Sequence, residues 1–209
     1  MNRIQYNKEL KKILNTIDTN NKPLLFLHMC CAPCSSYVIN YLKDYFIIIG
    51  IYSNSNIDSY NEFIKRENEI LKLKNILKSP SEIIELSYNH NEFLECIKGL
   101  EQDIEFGERC KTCIKYRLKK SIEYAIKRIN NDLNYYNDIW FTTTLTTSTH
   151  KDALYINNII IELLLNTNIK ALLSDFKKDN GNLLSIQLSK KYNLYRQEYC
   201  GCEFSKRIN

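Results

Sequence analysis

Glycine is scarce in this 209-residue chain: there are five, Gly50, Gly99, Gly107, Gly181 and Gly201, and no two stand close together. A Walker loop and a GxGxxG turn both need clustered glycines to bring backbone against phosphate, so both are excluded. Long apolar runs are missing as well. The longest, Ile159 to Leu165, is broken by Glu162 and falls short of the ~18 residues that mark a membrane span. The stretch Met1 to Lys8 has neither an apolar core nor a small-residue cleavage site, so no secretory signal is read there and a cytoplasmic protein is expected. No Pro/Ser/Gly linker or internal repeat divides the chain. The expectation is one domain over residues 1–209 that buries about 70% of its unfolded surface. Within it, 1–22 reads as an N-terminal helical extension and 200–209 as a Cys-containing C-terminal segment.

The bulk composition is ordinary. With 44% apolar residues, 25% charged residues and a net charge of +5, the chain reads as globular, and a nucleic-acid partner is permitted without being required. Short apolar runs alternate with segments of helical period. Strands are predicted at 24–28, 46–52, 82–87, 139–143 and 169–175, and helices at 35–45, 60–78, 113–129 and 152–165. In the second of these helices Phe63, Ile70, Leu73 and Leu77 make one apolar stripe. The last is apolar on most sides and is expected to be deeply buried. This order predicts an α/β fold, a Rossmann-like three-layer sandwich with a mostly parallel sheet. Such sheets bind ligands outside the carboxyl ends of their strands. The unusual segments 30–34, 54–57, 144–151 and 175–178 all follow predicted strands, so they should share one edge.

Against the five glycines stand eight cysteines, seven of them in three tight groups: Cys30-Cys31-Ala32-Pro33-Cys34, Cys110-Lys111-Thr112-Cys113 and Cys200-Gly201-Cys202. In a reducing compartment such groups point to metal or redox chemistry rather than to structural disulfides. A CxxC turn brings two sulfurs within about 4 Å, close enough for one metal. More than four thiols exceed what a tetrahedral zinc site needs, which favours an iron–sulfur cluster with additional redox thiols over a zinc staple. Cys96, alone in the helical-looking segment 91–98, reads as a small buried hydrophobe. His28 ends the first strand and reads as a ligand, a proton donor or, in preference, a hydrogen-bonded imidazole supporting the site. Arg109, Arg117, Lys151, Lys177, Lys178 and Arg196 sit around the proposed edge, as solvated charge or as phosphate contacts. Tyr192, Tyr195 and Tyr199 are expected to pack rather than stack on a base.

Five motifs then resemble one family. They are Leu27-His28-Met29-Cys30-Cys31-Ala32-Pro33-Cys34-Ser35; Gly107-Glu108-Arg109-Cys110 with Cys113, Arg117 and Leu118; Phe141-Thr142-Thr143-Thr144-Leu145 with Ser148, Lys151 and Asp152; Asp175-Phe176-Lys177-Lys178; and Leu194-Tyr195-Arg196-Gln197 with Tyr199-Cys200-Gly201-Cys202. In order and at family-like spacing from about Leu24 to Ser205, they resemble the QueH-type epoxyqueuosine reductases. The resemblance implies a cobalamin-independent enzyme that reduces epoxyqueuosine to queuosine at the wobble position of tRNA. It also implies a [4Fe-4S] cluster with a mononuclear iron beside it, and an electron donor that the sequence does not identify. Carried over by motif, Cys30, Cys31, Cys110 and Cys113 are the cluster ligands, while Cys200, Cys202 and Cys34 are a redox dithiol or part of the second metal site. Asp175, Tyr199 and His28 are the candidate proton donors. Asn56, Arg66, Arg109, Arg117, Lys151, Lys177 and Arg196 are the candidate tRNA and substrate contacts.

One segment departs from the family pattern. Asn54-Ser55-Asn56-Ile57 and Ser59 replace an Asp-Pro-Asn-Ile turn and a following Pro, although Glu62 and Arg66 remain. With two prolines gone, the loop is expected to be more mobile. The competing reading of the whole chain is a zinc-stapled RNA-binding module without catalysis. It accounts for paired cysteines and basic loops, but not for the surplus of thiols.

Overall fold

A computed structural model describes residues 5–206. The sequence calls on residues 1–4 and 207–209 fall outside these. Five strands form one all-parallel sheet in the order β3-β2-β1-β4-β5, with β1 Leu24–His28, β2 Ile47–Tyr52, β3 Glu82–Glu85, β4 Ile139–Thr143 and β5 Lys170–Ala171. Among the described residues the helices are α1 Tyr6–Leu14, α2 Ala32–Leu42, α3 Tyr60–Leu77, α4 His90–Cys96, α5 Glu108–Asp132, α6 Ala153–Leu164 and α7 Gly181–Lys191. The expected α/β three-layer architecture is therefore the one observed. No helix among the described residues is long and apolar enough to cross a membrane.

Alternation along β1 builds both cores at once. Leu25 and Leu27 face α1, α2 and α3, whereas Leu24 and Phe26 face α5 and α6. Both faces of the strand are fully buried, so it reads as a continuous apolar run. The stripe on α3 packs as expected, with Phe63, Ile70, Leu73 and Leu77 buried. Arg66 lies in the same stripe and is equally buried.

Three expectations need correction. The fifth strand stops at Ala171 instead of 175. The side chain of Asn157 replaces the missing ladder by donating to the Ser174 carbonyl (2.9 Å) and accepting from its amide (3.1 Å). Helix α6 is not buried all round: Leu154 and Ile161 are 48% and 42% exposed, because only one face of the helix meets the sheet. Cys96 is exposed, and its neighbour Ile97 takes the buried position under α4.

At the far edge of the sheet, burial and the neighbouring Glu85 push the Glu67 carboxyl up to about 7. A carboxyl raised in the folded state stabilises the fold below its ordinary value of 4.5, and that contribution is lost as pH rises through about 7. We expect Glu67→Gln to flatten the fall in melting temperature across this window. An unchanged profile in the variant would show that the pair does not titrate as described.

Candidate metal centre

The chain order switches direction between β1 and β4, and the loops after these two strands open a crevice there. Cys31 caps α2 in an extended conformation and Pro33 follows within the first turn, so Cys30, Cys31 and Cys34 gather at a helix N-terminus. Their sulfurs all lie within 4.8 Å of one another, with Cys30 and Cys31 at 3.9 Å. Hydrogen bonds from Cys30 and then Cys34 hold the Cys31 thiol well below its ordinary range. Cys30 is raised by its bond to Cys31, and Cys34 by its bonds to Cys30 and Cys31. The three sulfurs form one hydrogen-bonded group, a soft donor set that suits a soft cation. Thr144 fixes Cys30 from the turn just after β4: its hydroxyl accepts from the Cys30 amide (3.0 Å) and donates to the sulfur (3.3 Å).

The second cysteine pair stands on the first turn of α5. Spacing of i and i+3 puts Cys110 and Cys113 on one face. Asp103 caps this helix by accepting from the Arg109 amide at 2.9 Å, and a Cβ on Gly107 would lie 2.3 Å from that carboxylate, so a side chain there would displace the cap. Burial pushes the Cys113 thiol up to about 12. The third pair flanks Gly201, whose φ of +139° is in the region that favours glycine.

Two adjoining cavities connect the three groups. One, about 490 Å³, is lined by Cys110, Cys113, Cys200 and Cys202. The other, about 520 Å³, is lined by Cys30, Cys31, Cys34 and again Cys200. Lys151 borders both and donates to the Cys200 sulfur at 3.4 Å, which pulls that thiol down. All seven grouped cysteines therefore line one double cavity.

The predicted basic residues divide into two kinds. Arg66, Arg109 and Arg117 are 2%, 4% and 3% exposed and bind the protein's own carbonyls, while each also borders one or both cavities. Arg66 pairs with Glu62 (2.7 Å) and donates to the Cys200 and Tyr199 carbonyls at 2.9 and 3.4 Å. Arg109 holds the Glu101 and Asp103 carbonyls. Arg117 donates to the Ser53 carbonyl and to the Asn54 side chain, which in turn donates to the Met29 carbonyl beside Cys30. Lys151 and Lys177 are half-buried, with Lys177 paired to Asp175 and donating to the Lys151 carbonyl, and Arg196 is exposed. Asn56 is buried in the wall of the Cys110 cavity, and its amide oxygen has no partner among the described residues.

Of the candidate proton donors, only Tyr199 lines a cavity, with its hydroxyl donating to Asp58 at 2.9 Å. Burial and the Arg117 guanidinium pull the His28 imidazole down to about 3, and its Nδ1 lies 2.7 Å from the Thr143 hydroxyl, so it is a neutral strut beneath the site. Asp175 is ion-paired to Lys177 at 2.7 Å. The loop expected to be mobile is instead buried and tied down: Ser55 bonds the Ser87 carbonyl and the Asn89 amide. Phe106 and His150 were not singled out from sequence, and Thr144 and Asn54 entered only within motifs, without a role of their own. A polar residue inside an otherwise apolar stripe, as at Arg66, was the available signal for the buried cations.

The profile of the family described as "Epoxyqueuosine reductase QueH" matches residues 25–208. The chain belongs to the QueH family. A QueH of Streptococcus pyogenes serotype M1 is 31% identical over 211 residues, spanning 99% of this chain and 80% of that protein. One from Staphylococcus epidermidis is 32% identical over 210 residues, with 97% and 85% covered. A third, from Thermotoga maritima, is 28% identical over 182 residues, with 87% and 89% covered. QueH relatives are named as reductases acting on epoxyqueuosine, so an oxidoreductase of queuosine metabolism is the role that family membership supports.

Proposed function

We propose that this QueH protein reduces epoxyqueuosine to queuosine in the anticodon of tRNA, using an iron–sulfur centre held by Cys30, Cys31, Cys110 and Cys113. The observation that carries the reading is the double cavity, where seven thiols from three distant segments line one crevice. The donor set is soft and thiolate-rich, which suits iron bound as a cluster. Cys34, Cys200 and Cys202 are then available to a second metal or as a redox dithiol. Removing an epoxide oxygen takes two electrons and two protons and yields an alkene and water. When bound, the iron centre would supply electrons and a Lewis acid for the oxygen.

The chain's own groups do the rest. Tyr199 holds a phenolic proton at the cavity wall, and burial together with Asp58 keeps it protonated at neutral pH. Lys151 donates to the Cys200 sulfur and favours its thiolate. Arg66 and Arg117 are positioning residues, whereas phosphate contact falls to Lys151, Lys177, Lys178 and Arg196. The target base reaches such a crevice from a single-stranded loop more easily than from a duplex.

The decisive experiment is mass analysis of queuosine-family nucleosides in tRNA from cells lacking and regaining this gene. Epoxyqueuosine should accumulate in the first and disappear in the second; queuosine present in both would refute the assignment. Binding of the anticodon stem-loop should also weaken severalfold between about 50 and about 200 mM salt, because phosphate contacts release counterions. Constant affinity over that range would remove the backbone-reading lysines from the account.

A further inference from the structure

Two aromatic rings at the mouth of the double cavity have no part in the chemistry above. Phe106 and His150 stack at 5.8 Å between centroids and 11° between planes, and both rings border both cavities. Phe106 is 53% exposed and His150 is exposed, and neither joins any of the hydrophobic cores. Phe106 also has a φ of +73°, a left-handed conformation that costs an L-residue about 1–2 kcal/mol. That backbone geometry serves two ends: the amide donates to the Cys110 sulfur at 3.3 Å while the ring stays in solvent above the thiols. Lys151 and Glu105 border both cavities with the pair, and Lys111, ion-paired to Glu108, lines the Cys110 cavity.

An exposed aromatic platform with a cation beside it is an arrangement that binds single-stranded nucleic acid, with a base stacked on the rings and a phosphate on the cation. We propose that Phe106 and His150 form the stacking platform for the nucleobase that carries the epoxide-bearing ring. The base stays at the mouth, and the ring attached to it reaches down to the thiols. This rests on the proposed tRNA substrate.

The test uses full-length protein purified without oxygen and an epoxyqueuosine-containing anticodon stem-loop. Phe106→Ala should raise KM about tenfold, the loss of one base stack, with kcat changed less than about twofold. Phe106→Tyr should restore KM, and iron content should match wild type, because the backbone bond to Cys110 survives both substitutions. An unchanged KM, loss of iron in Phe106→Ala, or failure of Phe106→Tyr to rescue would each overturn the platform. A Phe106→Trp variant separates this inference from the reductase reading. Its added fluorescence should be quenched by the stem-loop whether or not turnover occurs. Quenching without wild-type turnover would uphold the platform and sink the reductase reading. Turnover without quenching would sink the platform alone.

Discussion

Cys110→Ala protein, purified without oxygen, is expected to be colourless, to have lost most of its iron, and to leave epoxyqueuosine untouched. Cys110 stands on the first turn of α5, with its sulfur accepting the Phe106 amide and facing the cavity that also holds Cys200 and Cys202. A cluster ligand supplies charge and a covalent tether together, and no other side chain of that turn can replace both. Cys31→Ala should behave alike, since its thiolate is the one that the neighbouring sulfurs stabilise. Cys96→Ala is the control: this thiol is exposed on α4 and lines neither cavity. Iron content, visible absorption and turnover should stay at wild-type levels there. Equal damage from Cys96→Ala and Cys110→Ala would discredit the ligand assignment.

The largest stability effect should come from Arg66→Met. This guanidinium is 2% exposed and meets three partners: the Glu62 carboxylate and the carbonyls of Tyr199 and Cys200. Methionine keeps much of the volume but leaves two carbonyls without their side-chain donor and Glu62 with only the Tyr195 hydroxyl. Breaking a buried ion pair on one side costs about 3–5 kcal/mol, and the partial exposure of Glu62 puts the expectation near the low end, about 3 kcal/mol. The same change should free the 199–202 segment, so Cys200 should react faster with alkylating agents in the folded protein. Urea denaturation and alkylation kinetics give the two readouts. A variant within about 0.5 kcal/mol of wild type, the range of ordinary surface changes, would show that Arg66 does not anchor this segment.

Much of the scaffold was legible from pattern. β1 and β4 match their predicted limits because short β-rich runs bounded by turns leave few alternatives. The stripe on α3 was read from spacing alone. Where pattern failed, a tertiary partner had replaced a local signal. Asn157 satisfies the Ser174 backbone in place of a longer β5. Hydrogen bonds from neighbouring chain, rather than prolines, restrain the Asn54 to Ile57 loop. Similarly, Arg117 was open to a reading as solvated charge, since the Ser53 and Asn54 groups that it binds lie more than sixty positions away in the chain.

By itself the sequence determined the kind of chemistry: three cysteine groups, no phosphate-binding glycines, and an α/β order that sends polar segments to one edge. Those properties depend on residue identity and local period, which are written along the chain. Only the tertiary structure decided which thiols line a common pair of cavities, which cations are buried, and which of the acid candidates borders a cavity. Such choices depend on contacts between segments far apart in sequence, where burial and hydrogen bonding, rather than local propensity, assign each side chain its partner.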